Sequence, residues 1–234
     1  MYVFKISHNM ENSIKFKKPK VLFFDINETI LDLTLLKTEI NNIFSQDIFD
    51  LWFTRLLHES LVFTITETFE SFTQIAVRTL KQASTIKGVN LTDDIFVKLL
   101  DTLSSLPPYP DVTHALEVLR QKGYMIVALS NSSKSLLEKQ LVNAKINHLF
   151  NEQISVDLFC KYKPHKQVYQ SAAKLLNTKV EECMLVAAHD WDIFGALCSG
   201  LRAAFVKRTG KDTYFLAVEP ELKVDNLFSL AERL

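Results

Sequence analysis

The chain carries no excess charge of either sign: 27 Lys and Arg stand against 27 Asp and Glu over 234 residues. With no basic stripe interleaved with aromatics there is no electrostatic footprint for a nucleic-acid groove, and no polybasic face for an anionic membrane. Cysteine is scarce too. Cys160, Cys183 and Cys198 are odd in number and form no CxxC pair, which argues against a disulfide framework or a zinc site and fits a reducing cytosol. No apolar run approaches the ~18 residues of a membrane span. The first 20 residues hold Lys5, Glu11 and further lysines in place of a continuous apolar leader. The expectation is a soluble, unexported, cytoplasmic protein. Internal repeats and low-complexity segments are absent from the sequence as well.

What is present is an apolar content of 47%, enough for the core of one ordinary domain with a sizeable insert. "KVLFFDI" (20–26) is a short, nearly continuous apolar run rich in strand formers, as a parallel strand buried on both faces would be. From 35 to about 105 the apolar residues recur at three and four spacing, with helix-type starts at Asp47 and Thr92, so this block reads as all helix. "LPPYPDV" breaks it, and a helix ending near Gly123 leads into a second buried strand, "YMIVALS". Helix "SKSLLEKQLVNA", short "NHLFNEQISV", helix "HKQVYQSAAKLLN", strand "CMLVAA", helix "WDIFGALCSG" and strand "RAAFVKR" follow. Such alternation predicts an α/β fold with a doubly wound, Rossmann-like parallel sheet. Its core domain takes 1–34 and 107–234, around an inserted α-helical cap domain at 35–106.

In an open parallel sheet, ligands collect at the carboxyl ends of the strands. Asp25, Ser130 and the segment 187–192 each follow an expected strand, and Lys163 comes shortly after "EQISV". Four polar clusters from distant parts of the chain then meet on one rim, with the helical block placed as a lid over it. Taken singly, each has a plainer reading. Asp25 suits a turn, Ser130 and Asn131 suit the cap of the next helix, and Lys163 suits a solvated surface. His189, next to Asp190 and Trp191, offers a His-Asp base pair or a metal ligand, with a hydrogen-bonded structural role as its plainer reading, and Arg55 suits an exposed helix face. Trp52, Phe53, Phe63 and Phe69 fall at helical intervals, the usual pattern of a cap core.

In order along the chain, "FFDINETILD", "ALSNSS", "YKPHKQVY" and "LVAAHDWDIFGALCSGLRAAFVKR" resemble the four motifs of the haloacid dehalogenase superfamily. Within it they resemble the (S)-2-haloacid dehalogenase (type II) branch, over about residues 20–230. The resemblance implies Asp25 as a carboxylate nucleophile oriented by Thr29, and Lys163 as the charge beside it. It implies Asp192 as the holder of that lysine and of the hydrolytic water. Ser130, Asn131 and Asn27 would bind substrate or halide, Tyr169 would sit near the substrate and Trp191 would wall the pocket. Arg55 is the nearest basic residue for the substrate carboxylate. The implied activity is hydrolytic displacement of halide from a small 2-haloalkanoic acid. An ionised carboxylate displaces a good leaving group at carbon, and water then cleaves the resulting aspartyl ester.

Several positions depart from the family patterns. Superfamily phosphatases usually carry an acid two residues after the nucleophile and a further magnesium carboxylate, and here those places hold Asn27 and Ala187. No metal or other cofactor is expected for a dehalogenase. The alternative, a phosphatase acting on a small phosphorylated metabolite, would hold Mg2+ through Asp25 and Asp192. Type II enzymes usually have an aromatic hydroxyl and Gly where this chain has Asn27 and Glu28, and Ser and Asn at Ala187 and His189. They also have arginine where Phe53 follows Trp52. Those changes keep a third class in view, a catalytically silent protein that binds a small carboxylate. The expected partner is a small-molecule carboxylate substrate, and such relatives are often homodimers.

Overall fold

A computed structural model describes residues 17–212 and 218–234. Most of the first 20 residues, where no apolar leader is expected, therefore lies outside the described part. Six parallel strands form the sheet: β1 (Val21–Phe24), β2 (Met125–Ser130), β3 (Glu152–Ser155), β4 (Cys183–Ala187), β5 (Arg202–Val206) and β6 (Leu222–Val224), in the order β3-β2-β1-β4-β5-β6. β1 runs between β2 and β4, with Phe24 opposite Ala128 on one side and Val186 on the other. Its four residues are all buried, which is why it reads as a continuous apolar run and not an alternating one. The strand order reverses at β1, so the crevice at its carboxyl end is the place where such a sheet binds ligands.

Helices surround the sheet. α5 (Val112–Gln121) packs on β2 and on α9 (Leu227–Arg233), while α6 (Lys134–Asn143) packs beside β3. α7 (Lys166–Leu175) packs on α8 (Asp190–Cys198), which lies along β4 and β5. The α/β, doubly wound expectation holds. β6 and α9 were not anticipated: a three-residue strand, "LKV", and a seven-residue helix are too short to show a period.

Between β1 and α5 come four helices: α1 (Thr34–Phe44), α2 (Phe49–Ile65), α3 (Phe72–Lys87) and α4 (Asp93–Ser104), with α2 against α3 and α1 against α4. α3 opens on a capping box, Ser71 with Gln74, and Thr92 precedes α4, whose Asp93 and Asp94 suit the positive end of the helix. α2 starts at Phe49 and not at Asp47. Asn41 Oδ1 accepts from the Ile48 and Phe49 N–H groups at 2.8 and 2.9 Å, and Asp47 instead accepts from Asn41 Nδ2. The two chain segments that join this helical block to the sheet run side by side, with Asp32 N on Pro107 O at 2.9 Å and Tyr109 N on Ile30 O at 3.0 Å.

Candidate active site

Asp25 follows β1 directly, buried to 6% exposure among apolar strand residues. A carboxylate there stays charged only if donors replace the lost water. Lys163 Nζ meets Oδ1 at 2.7 Å, while Oδ2 accepts from Thr29 Oγ1 at 2.7 Å and faces His189 Nδ1 at 3.1 Å. Burial alone would push the Asp25 carboxyl up, but the Lys163 charge and the bond to His189 outweigh it and hold the group far below the usual carboxylate range. Thr29 is itself fixed: its hydroxyl oxygen accepts from Ala188 N–H at 2.9 Å, tying the loop after β1 to the end of β4.

Lys163 is 1% exposed and also meets Asp192 Oδ2 at 2.7 Å. Burial opposes its charge, yet the two carboxylates push the ammonium above its ordinary value. Asp192 is wholly buried on α8, and burial pushes its carboxyl up despite the lysine. Its Oδ1 accepts from the Tyr169 hydroxyl. α7 and α8 come close enough for this because residue 195 is glycine. A Cβ there would lie 2.4 Å from the Pro164 Cβ and 2.8 Å from the Tyr169 hydroxyl.

His189 bridges two carboxylates. Its Nε2 lies 2.8 Å from Glu28 Oε2, and Glu28 in turn pairs with Lys211 at 2.8 Å. Burial would push the imidazolium down, but the bonds to Asp25 and Glu28 raise it to about 9. Burial likewise works against Glu28, which His189 and Lys211 nevertheless bring below its ordinary value. The His189 ring stacks with Trp191 (centroids 5.2 Å apart) and with Phe53 of α2 (6.4 Å). Here Trp191 does line a cavity of about 300 Å³, with Phe53, Thr54, Leu57 and Lys211. A second cavity of about 460 Å³ is bordered by Glu28, Lys37, Phe53 and Lys211.

The structure brings Asp25, Thr29, Lys163, Asp192 and His189 into one cluster, and the sequence-based readings of other residues need adjustment. Tyr169 is fully buried behind Asp192 and donates to that carboxylate. Asn27 is committed on both sides of its amide, to Ser132 Oγ at 3.1 Å and Gln140 Nε2 at 3.0 Å. Ser130 Oγ accepts from Ser132 N at 3.1 Å, and it is Ser133 that caps α6. Asn131 Oδ1 accepts from Lys163 N at 3.0 Å, and its buried Nδ2 has no partner. Arg55 does not reach the cluster. It lies two residues beyond Phe53, a rotation of about 200° around the helix from the side facing His189.

Glu28, Lys211 and Arg208 were missed. Arg208 is buried and donates to Thr29 O at 2.9 and 3.1 Å and to Asp111 at 2.8 Å, fixing the loop that carries Asp25. Its only sequence signal was a basic residue closing an apolar strand. A hard cation fits poorly between Asp25 and Asp192. Lys163 Nζ stands between them, and the other oxygen of each carboxylate faces Thr29 and His189 or the Tyr169 hydroxyl. Among the described residues no group of three His, Cys, Asp or Glu side chains is arranged to hold a metal ion.

A family model described as haloacid dehalogenase-like hydrolase matches residues 19–200. The (S)-2-haloacid dehalogenase 1 of Pseudomonas sp. (strain CBS-3) is 28% identical over 214 residues, covering 90% of this chain and 94% of that one. The solved L-2-haloacid dehalogenase from Xanthobacter autotrophicus has a TM-score of 0.83 at 21% identity, covering 92% of this chain and 97% of its own. A structure of the latter with chloropropionic acid covalently bound gives the same TM-score, at 20% identity and the same coverage. No helix among the described residues is long and apolar enough to cross a membrane.

Proposed function

Because the chain belongs to the haloacid dehalogenase-like hydrolases, we propose that it removes halide hydrolytically from a small 2-haloalkanoic acid through an ester on Asp25. The observation that carries this reading is the state of that carboxylate. It is buried and ionised, and Oδ1 accepts a single protein donor whereas Oδ2 has two. A carboxylate oxygen has two in-plane lone-pair sites, so Oδ1 is the oxygen left to attack. Its lone pair displaces halide from the substrate carbon, forming a C–O bond as the carbon–halogen bond breaks with its electrons on the halide. Water then adds to Cγ of the ester. One proton of that water passes to the Lys163–Asp192 pair and on to Oδ1, which departs as the product hydroxyl, and the other leaves as Asp25 re-ionises. Halide needs no general acid, which suits a residue 27 whose amide is already committed to structure. The free Nδ2 of Asn131 is a donor for the substrate carboxylate or the departing halide. The names of the two relatives point to the same substrate class.

In this reading the helices of 35–106 act as a cap domain over the core, and the protein works in the cytoplasm. The test is a time course of halide and phosphate release from panels of 2-haloacids and phosphate monoesters, with magnesium and with chelator. Halide release that survives chelator and falls by about 10³-fold or more in Asp25→Asn is the expected result. Turnover in ¹⁸O-labelled water should also place label in Asp25. Magnesium-dependent phosphate release would overturn the reading.

A further inference from the structure

We propose that His189 is the electrophilic residue of the hydrolytic half-reaction: its Nδ1–H and the Thr29 hydroxyl together receive the negative charge that appears on Asp25 Oδ2 when water opens the ester. The inference rests on the dehalogenase reading and concerns its second step alone. Once Oδ1 is alkylated, Oδ2 becomes the ester carbonyl oxygen, and it is the oxygen already contacted by Thr29 Oγ1 at 2.7 Å and His189 Nδ1 at 3.1 Å. As water adds to Cγ, the carbonyl π pair moves onto Oδ2, and when Oδ1 departs that pair returns to Cγ. Preplaced donors gain most at the point where full charge sits on Oδ2. In the first half-reaction the same donors favour the resting carboxylate, so they do not speed the attack on the substrate carbon.

Both nitrogens of His189 face carboxylate oxygens, so both act as donors and the ring is an imidazolium. No ring nitrogen is left free to act as a base. Glu28 is the positioning residue that keeps the charge. It occupies the left-handed region at φ 61, costly for a residue with a side chain, and is anchored there by His189 and by Lys211. Thr29 is polarised in the same direction, since the Ala188 N–H donates to its oxygen at 2.9 Å. The charged groups around the ring are Asp25 and Glu28 from the β1 loop, Lys163 across Asp25, the adjacent Asp190, and Lys211 and Asp212 after β5. From α2 the cavity beside it takes only Phe53, Thr54 and Leu57.

The experiment is rapid-quench halide release from (S)-2-chloropropionate with mass analysis of the Asp25 peptide, for wild type, His189→Ala, His189→Asn and Glu28→Gln. Expected for His189→Ala is a loss of steady-state turnover, about 10²-fold or more, that exceeds the loss in the first turnover of halide by at least about tenfold. The ester should then accumulate on Asp25, and His189→Asn, which retains a neutral donor, should fall between the two. Wild-type kcat should show an alkaline limb below the resting value of about 9, because the ester no longer carries the Asp25 charge that helps to raise the imidazolium, and Glu28→Gln should move that limb lower still. Loss of the first-turnover halide in a His189→Ala protein of native circular dichroism would overturn the proposal. So would an alkaline limb unmoved by Glu28→Gln, a result that needs no folded His189 variant. Failure of the dehalogenase reading has a separate signature: wild type releases no halide from any 2-haloacid and carries no adduct on Asp25.

Discussion

The floor of the site and the helical wall facing it are built on different terms. On the floor, Asp25, Thr29, Lys163, Asp192 and Tyr169 are buried and joined by direct bonds, and their positions follow from where β1 and β4 end and how closely α7 and α8 approach. Opposite, α2 presents Phe53 and Thr54 to cavities of about 460 and 300 Å³, adds Phe49 and Asp50 to the first and Leu57 to the second, and turns Arg55 away. In the proposed function, bond-breaking would fall to the buried, directly bonded groups and substrate choice to the face a helix shows. A strand end fixes a residue by register, whereas each step along a helix turns the side chain by about 100°. Shifting a cation by two places on α2 therefore removes it from the site, while the floor is untouched.

The comparison breaks most severely at Lys163. Lys163→Met leaves two buried carboxylates without their shared cation, and should cost about 3–5 kcal/mol in urea unfolding and abolish halide release. An unchanged midpoint would mean that something else holds the two charges. Next comes pH. His189 ionises near 6.5 in an unfolded chain and at about 9 in this one, so its contribution is complete below pH 6.5 and is lost as pH rises through 9. Urea midpoints should fall over that window by an amount equivalent to roughly 3 kcal/mol, and the slope should flatten in His189→Asn. Arg208→Met, which frees Thr29 O and Asp111, should cost about 2 kcal/mol and slow turnover by loosening the loop under Asp25. At the bottom lies Arg55→Ala, expected to change stability by less than about 0.5 kcal/mol and leave KM unaltered. A large rise in KM would show that α2 turns on binding, and would erase the contrast between floor and wall.

Legibility in the sequence follows the same division. The doubly wound core could be read because its central strands are continuous apolar runs, and the floor residues because each sits immediately after such a run or in a short motif. Short β6 and α9 carry no period, and the start of α2 was displaced because Asn41, seven residues upstream of Ile48, does the capping. The Glu28–Lys211 and Arg208–Thr29 contacts join positions more than 170 apart along the chain. No spacing rule reaches that far, so only the folded chain makes them visible.

The helical block is fastened to the sheet at one telling place. Thr64 Oγ1 accepts from the Tyr162 N–H at 3.0 Å, the Tyr162 hydroxyl donates to Glu70 O, and Phe69 and Phe72 pack on its ring. Tyr162 is the residue immediately before Lys163. A displacement of the helices would therefore pull on the residue next to the lysine, while Asp192 and Asn131 hold Lys163 from the sheet side. One peptide bond thus separates the residue clamped by the helical block from the residue that holds the two buried carboxylates, so the seat of the block and the seat of the cation are mechanically one.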